Sequence, residues 1–421
     1  MEMVIAMAAL AMIGGIVTAV SKFVSRKRNS RAMPVLPTPI FKVVALGNSG
    51  SGKTVLLASL FYQFRIRPGR PYYFDTDAET RVRLGNFLAA VVDPGRPWPG
   101  ATDRTTTRTY VFDCVAQIAQ EPTTAFKIEY VDYAGEIFDV IGESSSSLLD
   151  IEARVKSADA LIGMLDGRRV LQFLRGEASG RSYLIGEIAT IVRSIAQARC
   201  PVYLVISKWD LLHGFGEPDN ADDRTRLSLV SRALMSVDQV RDLIATRTKV
   251  RLIPVSAVGP GFAVLDTSDG VVRKLPDGTF SPYNVELPIA AIVPDLFIRI
   301  RERIREETIG AIQSEYRTRQ RYSPDEMVSR AGAFLLEPAG IALRASIDGL
   351  LSRPYSNDLL VMMLDWIGGP SRKRESELAA FRDQMRRQTY LLADARMAVL
   401  DDFHKQVRQL ESDLPASVLS R

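Results

Sequence analysis

Cysteine and histidine are nearly absent from this sequence, and each scarcity closes off a kind of chemistry. Two cysteines in 421 residues, Cys114 and Cys200, cannot build a disulfide framework or a cysteine-rich zinc site. Two histidines, His213 and His404, argue against a His-rich metal site and leave a Ser-His-Asp triad few candidates. Nor is there a broad excess of charge. The formal net charge is +5, yet residues 1–32 alone carry Lys22, Arg26, Lys27, Arg28 and Arg31 against the single acid Glu2. With 54 basic and 49 acidic residues in all, the remainder is balanced, and no nucleic-acid partner is expected. At 46% hydrophobic and 24% charged, the composition is that of a folded chain. Its length suits one large domain or two modest ones.

The opening segment has no charge from Met3 to Ser21, and Val4 to Val20 is almost wholly apolar. That run is just long enough to cross a bilayer core as a helix. A buried core helix and an amphipathic interfacial helix are the competing readings, and the missing polar face argues against both. The expectation is a transmembrane anchor over residues 1–21, contacting the membrane through residues 3–21. The basic cluster follows the span at once, so the positive-inside rule places the N-terminus outside and the rest of the chain in the cytoplasm. The implied location is the inner (cytoplasmic) membrane, crossed once. A cleaved signal peptide would carry its positive charge ahead of the apolar run. Pro34, Pro37 and Pro39 then make residues 22–40 a basic, stiff tether.

Phe41 to Leu46 reads as a short buried strand that runs straight into Gly47-Asn48-Ser49-Gly50-Ser51-Gly52-Lys53-Thr54. Val55 to Phe64 reads as a helix. This is G-x-x-x-x-G-K-T in the strand–loop–helix setting that the phosphate-binding loop requires. Its glycines let backbone N–H groups point inward around a polyphosphate, and the helix N-terminus adds a positive end. Lys53 can span the β- and γ-phosphates, and the Thr54 hydroxyl can ligate Mg²⁺.

Three further strand ends follow in order. Lys127 to Val131 ends in Asp132-Tyr133-Ala134-Gly135-Glu136; Pro201 to Ile206 ends in Ser207-Lys208-Trp209-Asp210; Arg251 to Val255 ends in Ser256-Ala257. With another strand at Ala160 to Leu165, this order resembles the Ras-like GTPases of the translation-factor-related (TRAFAC) class. The resemblance covers about residues 41–310. It implies a P-loop NTPase fold of α/β class: a Ras-like G domain whose mostly parallel sheet has helices on both faces. It also implies bound GTP or GDP with Mg²⁺. On that resemblance Asp132 holds Mg²⁺ through water, the Gly135 N–H meets the γ-phosphate, and Asp210 accepts from guanine N1–H and N2–H₂. The Lys208 stem lies across the purine, and the Ser256-Ala257 backbone meets guanine O6. Ser207 stands where the family has Asn or Thr to tie this loop to the phosphate loop. Asp132 as a plain helix cap, or Ser207–Asp210 as a plain turn, are the readings that compete. Trp98-Pro99-Gly100-Ala101-Thr102 and Asn284-Val285-Glu286-Leu287-Pro288 are similar to bacterial double-GTPase-like domains of the class. The anchor followed by a G domain is similar in layout to the signal-recognition-particle receptor β subunit.

A γ-phosphate sensor needs a threonine that reaches Mg²⁺. Thr102 is the first candidate in Gly100 to Thr109, with Thr105 and Thr106 in reserve. The family's water-orienting glutamine after the D-x-x-G glycine is Glu136 here. Its charge beside a γ-phosphate predicts slow hydrolysis, or hydrolysis that depends on a partner protein. Lys53, Thr102, Gly135 and Glu136 are thus the catalytic candidates, and Thr54, Thr102 and Asp132 the metal ligands.

Elsewhere the sequence predicts a helix over Asp77 to Val92 and a loose Ser-rich stretch at Glu143 to Ser147. It predicts a hairpin turn at Asp277-Gly278 and a helix from Asn284 to about Gln320. Residues 41–320 form the expected nucleotide domain and 321–421 a helical region. There Leu378, Phe381, Met385, Leu392, Val399, Phe403, Val407 and Leu410 make a stripe suited to packing on the domain more than to a dimeric coil. The functional expectation is a membrane-anchored GTP-dependent switch; an ATPase and a GTP-bound, non-hydrolysing scaffold are its rivals.

Overall fold

The computed structural model describes residues 38–65, 69–100, 107–118, 121–133, 145–196, 198, 200–213, 222–247, 249–266, 270–299 and 372–420. The chain divides into two compact units. The larger comprises Ile40–Ala116, Phe126–Leu296 and Ala398–Arg421 and carries the sheet. The smaller comprises Met1–Pro39, Gln117–Ala125 and Phe297–Met397; within its described part, the Arg396 guanidinium donates from Nε to the Ala125 carbonyl at 3.1 Å.

In chain order the elements are β1 (Ile40–Leu46), α1 (Lys53–Gln63), β2 (Tyr72–Asp75), α2 (Ala78–Val92), β3 (Arg108–Ile118), β4 (Glu121–Asp132) and α3 (Ser145–Ser157). Next come β5 (Ala160–Asp166), α4 (Gly167–Leu174), α5 (Ala178–Ser182), a π-helical turn at Tyr183–Glu187, α6 (Ile188–Ala196), β6 (Val202–Ser207) and a 3₁₀ turn at Trp209–Leu212. The chain continues through α7 (Asp223–Met235), α8 (Asp238–Ala245), β7 (Val250–Pro254), β8 (Ala263–Leu265) and β9 (Val272–Lys274). Helix α9 starts at residue 287 and is described as far as residue 299, the rest of the helix expected to about Gln320 lying outside the described residues; α10 (Arg372–Asp413) and β10 (Val418–Ser420) come last.

Eight strands form one sheet in the order β10-β7-β6-β5-β1-β4-β3-β2. β7, β6, β5, β1 and β4 run parallel, while β2 pairs with β3, and β10 with β7, antiparallel. The central strands are near-continuous apolar runs because both faces are covered: every residue of β5 and of β6 is buried. The chain leaves β1 toward β2, β3 and β4 on one side and leaves β5 toward β6 and β7 on the other, so the direction reverses between these two neighbouring strands. Ligands bind at such a switch point, off the carboxyl ends of the strands. The architecture is mixed α/β with a mostly parallel central sheet and fits a P-loop NTPase.

Several expectations change in detail. The helix foreseen over Asp77 to Val92 starts at Ala78, with Asp77 as its cap accepting from the Thr80 N–H. Of the stretch Glu143–Ser147 read as loose, Ser145–Ser147 are helical in α3, and Glu143 and Ser144 lie outside the described residues. The hairpin in the late insertion is β8–β9, and Asp277-Gly278 makes only a following turn, with the Gly278 N–H donating to the Leu275 carbonyl at 3.1 Å. The bend falls instead between Leu265 and Val272, where Gly270 donates to the Asp266 carbonyl at 2.8 Å.

That hairpin grips α2 and the segment after it. Lys274 Nζ donates to the carbonyls of Ala90, Asp93 and Arg96 at 2.7, 2.8 and 2.9 Å, serving orphan acceptors at the helix end. The Trp98 indole donates to the Val272 carbonyl at 2.7 Å. Phe262, Val258 and Val91 form a small buried cluster beneath, with Trp98 and Val55 packed on it.

The far end of α10 belongs to the larger unit, and its apolar stripe is buried at Val399, Phe403, Val407 and Leu410. Phe403 meets Tyr72 edge-on at 5.3 Å and Phe64 at 6.0 Å between ring centroids. Asp402, polar within the seam, accepts the Tyr72 hydroxyl at 2.5 Å and is matched there. Glu286 of the Asn284–Pro288 segment forms a bidentate pair with Arg70. Among the described residues no helix is long and apolar enough to cross a membrane; the span expected at residues 1–21 lies outside them.

Candidate functional site

The loop Gly47–Thr54 leaves β1 at the switch point. Gly52 takes φ 87° to turn the chain into α1, a left-handed conformation that a side chain would strain. Ser51 closes the loop by donating its N–H to the Asn48 carbonyl at 3.2 Å, with Ser49 and Gly50 between them. Lys53 is buried and its ammonium lies inside the loop, 2.6 Å from the Gly47 carbonyl, 3.1 Å from that of Asn48 and 3.4 Å from Ser51 Oγ. The Asn48 amide donates to Glu187, at the end of the π-helical turn, at 2.7 Å.

Asp132 ends β4 opposite Ala45 of β1 and is buried. Its Oδ2 accepts the Thr54 hydroxyl at 2.9 Å, whereas its Oδ1 is buried and has no hydrogen-bond partner among the described residues. Burial raises its pKa, although the Lys53 charge and the Thr54 hydrogen bond oppose the shift. A buried carboxylate oxygen left unpaired beside a threonine hydroxyl is a hard-oxygen donor set, and it fits Mg²⁺. Thr54 and Asp132 would hold that ion, whose charge would offset that of the β- and γ-phosphates.

The raised pKa of Asp132 has a sign that can be tested. A carboxyl that is easier to protonate folded than unfolded favours the fold most below the ordinary carboxylate range, and that contribution is lost as pH rises through the raised value. Asp132→Asn should therefore raise the melting temperature of the nucleotide-free chain at neutral pH while reducing the Mg²⁺ dependence of nucleotide affinity. Thermal scans and titrations with and without EDTA check both, and an unchanged Mg²⁺ dependence would contradict the assignment.

On the other side of the crevice, Ser207 ends β6 and Lys208 adopts φ 51°, a left-handed conformation uncommon for a residue with a side chain. Its Nζ donates to the Gly50 carbonyl and to Asp166 Oδ2, both at 2.8 Å. This corrects one expectation: Ser207 does not make the tie to the phosphate loop. Its short side chain donates to the Leu165 carbonyl at 3.1 Å, and Lys208 bridges the two loops instead. Asp210, in the following turn, accepts the Ser256 hydroxyl at 2.5 Å, and burial raises its pKa against that hydrogen bond. The Ser256 N–H donates to the Tyr283 carbonyl at 3.0 Å. Ala257 is held through its carbonyl, which accepts Ser59 Oγ of α1 at 2.7 Å.

The structure thus brings together Gly47 to Thr54, Asp132, Ser207, Lys208, Asp210, Ser256 and Ala257 along one edge of the sheet. Thr102, Gly135 and Glu136 lie outside the described residues. Sequence reasoning missed Asp166 and Gly167. Asp166 ends the apolar strand β5, as Asp132 ends β4, and that position was the available signal. At Gly167, an added Cβ would lie 2.1 Å from the Ser207 carbonyl, so only glycine lets the two loops approach this closely.

No protein-family model matches the chain, and no curated protein is similar to it at a meaningful level. Among solved structures, one of sup35 complexed with GDP overlaps 55% of this chain and 41% of its own length at 15% identity, with a TM-score of 0.28. At that score the likeness bears on neither fold nor function. The strand order and the loop geometry define an α/β protein whose mostly parallel central sheet fits a P-loop NTPase fold.

Proposed function

We propose that this chain is a guanine-nucleotide switch: a P-loop GTPase of the Ras-like class, anchored in the membrane through residues 3–21, with its nucleotide domain on the cytoplasmic side. The observation that carries the reading is the Lys208 bridge. A loop ending in Lys208 and Asp210 stands against the phosphate loop, with the Asp210 carboxylate set beside Ser256.

In this reading the backbone N–H groups of Asn48 to Thr54 and the Lys53 ammonium bind the polyphosphate. Asp210 accepts two hydrogen bonds from the guanine edge, a donor pair that adenine lacks. Because the Ser256 N–H already serves Tyr283, the contact to guanine O6 falls to Ala257. Mg²⁺, held by Thr54, Asp132 and Thr102, would supply charge neutralisation at the phosphates. Gly135 offers an N–H to the γ-phosphate, and Glu136 positions water. Its own negative charge opposes the reaction, so hydrolysis is slow until a partner protein assists. No nucleic acid is involved.

Phosphate release from GTP by the full chain tests this. The expected wild-type turnover is slow, and Glu136→Gln should raise it about tenfold, equivalent to relieving ~1.4 kcal/mol of repulsion. Fast turnover that falls in the variant would overturn the assignment of Glu136.

A further inference from the structure

The base-recognition site stands on two loops far apart in the chain, and one carboxylate outside the motifs grips both. Asp223 lies in the first turn of α7, next to its cap Asp222. Its Oδ1 accepts the Trp209 indole N–H at 2.9 Å and a guanidinium N–H of Arg226. Its Oδ2 accepts the Tyr283 hydroxyl at 2.9 Å, and His213 Nε2 lies 3.6 Å from Oδ1.

Each of two partners leads directly to the site. Trp209 is fully buried, immediately precedes Asp210, and donates its main-chain N–H to the Val255 carbonyl at 3.1 Å. Tyr283 pairs through its main chain with Ser256 in both directions, at 3.0 and 2.8 Å. Ser256 in turn donates its hydroxyl to Asp210 and accepts the Gly259 N–H on the same oxygen at 2.8 Å. Asp223 therefore fixes the spacing between Asp210 and Ser256-Ala257, the two edges between which a purine would be read. Asp223 and Tyr283 are partly buried, and their hydrogen bond joins the fully buried Trp209 indole to the strand pairing at Ser256.

We propose that Asp223 is a positioning residue for base selectivity, acting through Trp209 and Tyr283 without touching the nucleotide. The inference rests on Asp210 being the guanine acceptor. The test is calorimetric titration of the full chain with GTP, ATP and inorganic tripolyphosphate, for wild type, Asp223→Ala, Asp223→Asn, Tyr283→Phe and Asp222→Ala. In Asp223→Ala the GTP affinity should fall roughly tenfold to a hundredfold, the loss expected for charge-assisted hydrogen bonds, with tripolyphosphate affinity unchanged. Asp223→Asn should recover most of the preference, since an amide can accept from Trp209 and donate to the Tyr283 oxygen. Asp222→Ala loosens the same helix end without touching either loop and should leave the GTP-to-ATP ratio alone. If Asp223→Ala does not fold, Tyr283→Phe still reports: it should lower the ratio severalfold by losing one hydrogen bond. An unchanged ratio in both variants, or equal losses for GTP and tripolyphosphate, would overturn the proposal. A wild type with no preference for GTP would remove the guanine reading itself, and this inference with it.

Discussion

Replacing Lys53 with alanine should weaken triphosphate binding about 100-fold and abolish the thermal stabilisation that nucleotide gives the wild-type chain. Two contacts to ionised phosphates, each a charge-assisted hydrogen bond, together supply ~3 kcal/mol once non-additivity is allowed for. The structure shows how Lys53 is placed for this role. The ammonium already lies within the loop, donating to the Gly47 and Asn48 carbonyls, so phosphate oxygens need only replace those acceptors. Lys53→Met, which keeps most of the buried stem, separates lost charge from lost packing. It should bind as weakly as the alanine variant and melt closer to wild type in the absence of nucleotide. Triphosphate affinity within a few-fold of wild type in both variants would contradict the placement of the phosphates.

Asp210→Asn should exchange one base for another. A carboxylate accepts from guanine N1–H and N2–H₂, whereas an amide turns one of those acceptors into a donor. The expected loss for GTP is about 100-fold, the scale of a buried polar pair left mismatched, with a comparable gain for xanthosine triphosphate, which presents a carbonyl at that edge. The fold should tolerate the change, because an amide oxygen still accepts the Ser256 hydroxyl. The same residue gives a pH dependence. Burial raises the Asp210 pKa, and the protonated carboxyl cannot accept both guanine N–H groups. GTP affinity should therefore begin to fall at a pH above the ordinary aspartate range, and that fall should vanish in the asparagine variant. Competition titrations across pH measure both effects.

Much of the frame was legible because parallel strands buried on both faces leave unbroken apolar runs. Phe41–Leu46, interrupted only by Lys42, with Ala160–Leu165 and Pro201–Ile206, needed little more than that, and each is followed directly by a residue of the site. The phosphate loop was legible because its geometry demands glycine at fixed places. Short antiparallel edges were not: Val418–Ser420 is three residues long and is defined by pairing with β7 rather than by its own composition. Asp277-Gly278 misled because a turn dipeptide marks a reversal without saying which strands flank it. The exchange of roles between Ser207 and Lys208 depends on one positive φ at Lys208, which sends a long side chain back to Gly50 and Asp166. Asp166, Asp223 and Tyr283 escaped notice because their importance lies in contacts across 42, 14 and 60 residues. A single sequence does not display such contacts.

The most direct test of guanine recognition is an equilibrium competition on the wild-type full chain, with GTP and ATP displacing the same fluorescent guanine nucleotide in the presence of Mg²⁺. GTP should compete at least ~100-fold more strongly than ATP, and EDTA should weaken GTP binding. Equal competition by the two nucleotides would contradict guanine recognition by Asp210 and leave a phosphate loop that does not distinguish the base.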